Sequence, residues 1–415
     1  MLRDRLRREL SIFHQLKPDV QKFVLAIFCQ IIANSLIFVF ANAYLFVSTN
    51  NILSIAIFNL AVYLALLIGF YLNTLLVRFI KAKQIFIASS VIQGVMMVIL
   101  LLLENISLWQ IFGVGAAVGL VLGIYWANRN YIYPAITHDL ERDYISGIVT
   151  LVGNLSGVIL PLLAGWLIVW SRAQVNLKAA WAYMVIMGFG VLVLMIGTFF
   201  LSSIQELPTL KVTQFWPKKI SSSWKLFRIF VLASSLQMAI GATMMEMIAL
   251  KFIGDEGVLG LIKSVLAVVV GVIIYALGRK MKPRDRYKYL FVSTLFLLGS
   301  VLLLMISFSQ LTLILYLITM IIAANIFWFV YPPIMSRATE MQDQGLIEDN
   351  YAYVLDHELF IDMGRIAGLI FMLVILKYLS EKIGVTIVLL VGAFMQFLGM
   401  SALKKLIKIQ NSVTV

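Results

Sequence analysis

Twelve runs of about 20 apolar residues, each long enough to cross a hydrocarbon core of roughly 30 Å, dominate this 415-residue chain. They fall near 23–47, 52–77, 84–103, 107–134, 145–170, 180–203, 229–250, 257–278, 289–308, 311–335, 352–376 and 384–403. Inside a bilayer a backbone must satisfy its own hydrogen bonds, and a helix does so within each span. The expected fold class is an all-α polytopic membrane protein with 12 transmembrane helices. Charged residues make up 13% of the chain and hydrophobic ones 62%, whereas soluble proteins carry about a quarter charged residues. A globular enzyme in water is excluded.

Charge gives the orientation. Of the 33 Lys and Arg residues, 25 lie in the N-terminal segment, the even-to-odd loops and the C-terminal segment, and five in the opposite loops. That bias predicts both termini in the cytoplasm, and it explains the net charge of +13 without a nucleic-acid partner. Leu2, Leu6, Leu10, Phe13 and Leu16 form a stripe opposite Arg3, Arg5, Arg7 and Arg8. The stripe suits a short helix on an anionic leaflet, ended by Pro18; a stop-transfer charge cluster is the rival account. No cleavable signal peptide is expected. Cys29 is the single cysteine and the three histidines are far apart, so no metal and no cofactor is expected. No Walker loop, nucleophile elbow or His-Glu-x-x-His stretch is present, which leaves ATP-driven transport and hydrolysis without support.

The chain divides at its longest interior polar stretch. The expected parts are a cytoplasmic amphipathic segment (1–22), an N-terminal six-helix bundle (23–203), a cytoplasmic linker (204–228), a C-terminal six-helix bundle (229–403) and a cytoplasmic tail (404–415). Markers recur between the halves. Gly69 and Gly271, at the ends of spans two and eight, differ by 202, as do Trp126 and Trp328 in spans four and ten. Each tryptophan is followed by a Tyr-Pro pair, Tyr133–Pro134 and Tyr331–Pro332. Gly153-x3-Gly157 in span five and Gly364-x3-Gly368 in span eleven keep the same order at an offset of 211. Duplicated, pseudo-symmetric six-helix units account for this pattern.

Gly271, Gly278, Arg279 and Lys280 fit a Gly-x3-Asp-x2-Gly-Arg-Lys motif, with Tyr275 in place of the acid. The first half keeps Gly69 and the basic Arg78, Lys81 and Lys83, with Asn73 at the acid position and Leu76 at the second glycine. Parallel six-helix repeats carrying this motif resemble the major facilitator superfamily. Two further stretches resemble its YQGE-type bacterial branch: Trp126-Ala-Asn-Arg-Asn-Tyr131 with Arg142-Asp-Tyr-Ile-Ser-Gly147, and Glu358-Leu-Phe-Ile-Asp-Met-Gly-Arg365. The superfamily resemblance implies a substrate site at midplane between the halves, in a cavity lined by spans one, four, seven and ten. With Tyr275 and Asn73 at the acid positions, the chain lacks the carboxylates that make the gate contact in that family.

Ionisable side chains inside spans are costly to keep, so each is a candidate. Arg129 in span four is expected to anchor an anionic group or join a gate ion pair; snorkelling to the interface is the rival account. Glu358, Asp362 and Arg365 share one face of span eleven, where Asp362 and Arg365 are expected to neutralise each other, with Glu358 and Arg365 in an inner gate network and Asp362 as an ion-coupling carboxyl. A solvated, acid-rich helix start is the alternative. Glu246 in span seven is expected as an ion-coupling carboxyl and Lys263 in span eight, at similar depth, as a gate residue; a structural salt bridge and interface exposure are the alternatives. Arg279 and Lys280 would join the gate, facing the acidic loops 4–5 and 10–11. For the substrate wall the candidates are Gln30, Asn34, Trp126, Gln237, Asn325, Trp328 and Tyr331, as hydrogen-bonding or stacking groups. Helix–helix adhesion is the rival account for the amides, packing for the aromatics. Gly115-x3-Gly119-x3-Gly123 is a packing stripe.

Taken together, these residues predict a secondary active transporter of a small organic solute, anionic or amphipathic, working by alternating access and coupled to H+. It would sit as a monomer in a bacterial inner membrane, with the lipid bilayer as its other partner. A lipid flippase and a non-transporting membrane sensor or scaffold are the alternatives.

Overall fold

A computed structural model describes residues 13–248 and 285–412 apart from 50, 103–106, 138, 174–178, 206–214, 218, 341 and 343–346; of 249–284 it describes 261, 264–266, 268–270 and 273. Among the described residues eleven helices follow one another: α1 Pro18–Thr49, α2 Ile52–Leu76, α3 Ala82–Leu102, α4 Leu108–Ile136, α5 Asp139–Ala173, α6 Ala179–Ser202, α7 Ser222–Ile248, α8 Arg286–Ile306, α9 Gln310–Glu340, α10 Ile347–Tyr378 and α11 Glu381–Ser412. Among the described residues ten helices carry a stretch long and apolar enough to span a bilayer. The apolar part of α5, Leu155–Ser171, is shorter, and the expected eighth span lies mostly outside the described residues. The chain is an all-α, multi-pass membrane protein.

Local signals set several helix starts. Pro18 opens α1, where its missing N–H costs nothing; the leaflet helix expected before it lies mostly outside the described residues. Ser107 and Gln110 form a reciprocal capping box at α4, with Gln110 Oε1 accepting from the Ser107 N–H at 2.9 Å and Ser107 Oγ accepting from the Gln110 N–H at 3.3 Å. Ser221 Oγ accepts from the Trp224 N–H at 3.1 Å. That cap starts α7 inside the stretch expected to be linker, because Trp224 and Phe227 are buried against the second half. At the other end α11 runs past the expected boundary at 403 to Ser412, since Leu406 and Ile407 still face the same core.

The packing repeats. In the first half α1 lies on α5 and α6, and α3 on α4 and α6; in the second, α7 lies on α10 and α11, and α8 on α9 and α11. Four pairings thus recur in chain order. The glycines that allow them recur too. On α6, Gly190 and Gly197 face Ile37 and Cys29 of α1; on α11, Gly392 and Gly399 face Gln237 and Ala233 of α7. Each pair is 202 residues apart, the offset of the Gly69/Gly271 and Trp126/Trp328 markers. Contact between the halves runs mainly through α2 on α10, with smaller contributions from α2 and α1 on α7.

The tightest approach is α2 on α4. A Cβ at Gly123 would lie 3.0 Å from the Gly69 Cα, and one at Gly115 2.8 Å from the Phe58 carbonyl oxygen. At Gly119 it would collide with the Val62 carbonyl. Backbone cannot yield as a side chain can, so Gly119→Val should lower stability by at least the ~1–3 kcal/mol of an overpacked core. Gly113 has nothing within 4 Å, and Gly113→Ala should gain up to about 1 kcal/mol of helix propensity. Thermal unfolding of the two variants in detergent checks the contrast.

Candidate functional site

A cavity of about 400 Å³ opens between the halves. The first half lines it with Ser35 of α1 and Gly153, Gly157 and Pro161 of α5. The second contributes Met238, Gly241, Ala242 and Met245 of α7, with Met320, Ile321, Ala324, Asn325 and Trp328 of α9. Small residues make the space. Gly157 has nothing within 4 Å and Gly153 only Ile31 at 3.9 Å. Their counterparts behave oppositely: a Cβ at Gly368 would lie 2.8 Å from the Leu236 carbonyl oxygen, and one at Gly364 would collide with Ser235 and Leu232 of α7. The same small-residue pattern borders open space on α5 and seats α10 on α7.

Trp328 is 47% exposed and forms a partition. It lines the cavity on one side. On the other lies a hollow of about 10 Å³, room for about one water. Met238 borders both spaces, and Arg365, Tyr331, Ser235 and Phe327 line the hollow. Trp328 stands edge-on to Phe327 and Tyr331, with ring centroids 5.5 and 5.8 Å away. Asn325 spends its Nδ2 donor on the Ile321 carbonyl at 2.9 Å, and Ser35 Oγ donates to the Ile31 carbonyl at 2.8 Å.

Behind the partition α10 carries the buried charge. Arg365 Nη1 donates to Asp362 Oδ1 at 2.9 Å, so the expected pairing of these two forms. Asp362 is fully buried, and its Oδ2 has no hydrogen-bond partner. The guanidinium Cζ lies 5.0 Å from the Tyr63 ring centroid on α2, a cation–π contact that joins the halves. One turn earlier Glu358 Oε1 is 3.7 Å from His357 Nδ1, and His357 Nε2 meets the Tyr331 hydroxyl. Phe227 stacks on both the Tyr331 and the His357 rings.

Several expected wall residues turn elsewhere. Gln30 Nε2 donates to Asn34 Oδ1 at 3.2 Å and to Gln93 Oε1 at 2.9 Å, and Gln93 Nε2 donates to Asn34 Oδ1 at 2.9 Å. This closed amide triangle fastens α1 to α3. Gln237 is fully buried toward Gly392 of α11 and the Met320 sulfur, whereas Met238 and Gly241 face the cavity. Trp126 and Arg129 are not among the lining residues. The Arg129 Cζ lies 4.6 Å from the Trp126 ring centroid, and neighbouring Asn128 donates to Asn73 Oδ1 at 2.6 Å. An amide pair thus stands where the family motif has its acid. The side chains of Glu246, Lys263, Arg279 and Lys280 and of the acidic loops lie outside the described residues.

One network had no counterpart in the sequence reading. Asp356 accepts from Trp224 Nε1 at 2.6 Å and from Arg228 Nε at 2.8 Å, with Arg228 Nη2 on its other oxygen. The Asp356 side chain is 1% exposed and that of Arg228 17%. Arg228 sits at the edge of the linker by composition. The Ser221 cap and the buried Trp224 and Phe227 were the signals that it belongs to a helix.

The fold and this site define a membrane protein of transporter architecture. The sequence matches the Major Facilitator Superfamily over residues 23–347, and the chain belongs to that superfamily. It is 23% identical over 277 residues to the uncharacterized protein YqgE of Bacillus subtilis (strain 168), a match that spans 66% of this chain and 63% of that relative. Among solved structures it is similar to the nucleoside transporter NupG in a D323A form, with TM-score 0.63 and 15% identity over 94% of this chain and all of that one. It is also similar to a bacterial homologue of the iron transporter ferroportin, with TM-score 0.61 and 14% identity over 93% and 98% of the two chains. These likenesses concern the fold.

Removing one member of a buried ion pair strands the other, which costs about 3–5 kcal/mol. Arg228→Gln is therefore expected to destabilise the protein by about that much, and Arg228→Gln combined with Asp356→Asn by clearly less. Denaturation of both variants in detergent measures the coupling; additive losses would contradict it.

Proposed function

We propose that this protein is a secondary active transporter that moves a small organic solute by alternating access. The observation carrying this reading is the cavity itself, walled by α1 and α5 from one half and α7 and α9 from the other. A site shared between two repeats opens to one side or the other when the repeats rock. In this reading twelve spans form two six-helix bundles, 23–203 and 229–403, in a bacterial inner membrane with both termini cytoplasmic. The protein works as a monomer. Trp328, Asn325 and Ser35 face the solute.

Coupling to H+ is assigned to Asp362. Its carboxylate holds Arg365, and Arg365 reaches across to Tyr63 of the other half. Protonating Asp362 releases the guanidinium from its ion pair and alters a side-chain link between α10 and α2. Glu358 and His357 extend this line of polar groups along α10. Arg129, lying on Trp126 outside the lining, is assigned to the inner gate rather than to the solute. Glu246 and Lys263 are kept as a second coupling candidate, and Arg279 and Lys280 as gate residues.

The test is solvent access. In a Cys29→Ser background, single cysteines at Ser35, Gly157 and Ala324 are exposed to a membrane-impermeant thiol reagent in oriented vesicles. Each is expected to react from both faces, at different rates on the two sides. A residue that reacts from neither face would mark the space as a sealed packing void.

A further inference from the structure

The described lining of the central cavity carries no charged side chain. Its polar members are Ser35, Asn325 and the indole of Trp328, and the first two already donate to their own helices. Three methionines supply polarizable, adaptable surface. Arg365 opens instead on the small hollow behind Trp328 and Met238, and its charge is met by Asp362. An ion entering the cavity would lose water and gain no opposite charge from these residues. A flat ring, by contrast, could lie against Trp328, whose half-exposed indole is held edge-on by Phe327 and Tyr331.

We infer that the solute is uncharged and largely apolar, carries a flat ring and has few hydrogen-bonding groups. This rests on the cavity being the transport site and names what that site takes. It departs from the anionic solute expected from Arg129 and disfavours polyhydroxylated solutes, which would bury hydroxyls without partners. A volume of about 400 Å³ lies within the range of pockets that enclose one drug-sized molecule.

N-phenyl-1-naphthylamine and 1-anilinonaphthalene-8-sulfonate share one ring framework and differ by a sulfonate, so they isolate the effect of charge. Binding of each to the full-length protein in nanodiscs is followed by energy transfer from tryptophan, with empty nanodiscs subtracted. The neutral probe should bind saturably, and the anion at least about tenfold more weakly, which is one decade of Kd. Gly157→Leu sends a side chain from a position where a Cβ meets nothing within 4 Å into the cavity and should weaken the neutral probe by about tenfold or more. Equal or tighter binding of the anion overturns the inference, as does displacement of the neutral probe by the tetraphenylphosphonium cation. So does neutral-probe binding untouched by Gly157→Leu, which would place it elsewhere. If no saturable binding occurs while the cavity cysteines react from water, the solute class is wrong and the transport site stands. If neither binding nor labelling occurs, both fail.

Discussion

Apolar helices gain nothing by leaving lipid for one another, because lipid tails are as apolar as leucine. Association must come from close packing, and in this protein it rests on glycines at the helix crossings. Gly69, Gly115, Gly119 and Gly123 bring α2 and α4 into main-chain contact, Gly190 and Gly197 seat α6 on α1, and Gly392 and Gly399 seat α11 on α7. The recurrence of the last two pairs at one offset makes the halves variations on one packing scheme. The cavity is the same device with the partner withheld: Gly153 and Gly157 point at space, and the volume they leave is what the two halves share.

Charge is handled by the complementary rule. The fully buried ionic groups described on α10 are paired or ringed by aromatics: Asp356 with Arg228 and Trp224, Asp362 with Arg365, and His357 between Tyr331 and Phe227. The first of these ties α7 to α10 within one half. The second is different, since Arg365 also touches Tyr63 across the boundary. A polar contact across the boundary between separately packed halves suits a two-state rocking mechanism, because packed cores switch between arrangements instead of deforming.

Most of the fold was legible because length and hydropathy decide what can span a bilayer. The described spans fall within a few residues of their expected places, except where the apolar part of α5 is confined to Leu155–Ser171, where Ser221 and Trp224 draw α7 back into the linker and where Leu406 and Ile407 carry α11 onward. The site was harder to read. On a soluble helix the apolar stripe reveals the inward face; on these helices every face is apolar, so spacing groups residues without saying where they point. Gln30 and Asn34 do share a face, but it is turned to Gln93. On α7 it is Met238 and Gly241, not Gln237, that meet the cavity. Asp362 and Arg365 were readable because i, i+3 spacing fixes their contact regardless of where the helix faces. Tyr63, which completes that site from the other half, carries no mark in the sequence.

The central claim is that two internally rigid halves move about the shared cavity. Pulsed electron spin resonance distances test it directly, in a Cys29→Ser background with one label pair at each end of the molecule. Phe79 and Ser401 serve one end, Trp109 and Ile306 the other, all of them exposed. Across acidic and neutral pH, one distance should lengthen as the other shortens, while a pair within the first half, Phe79 and Trp109, stays fixed. Two unchanging inter-half distances, or a changing distance within the half, would contradict the account.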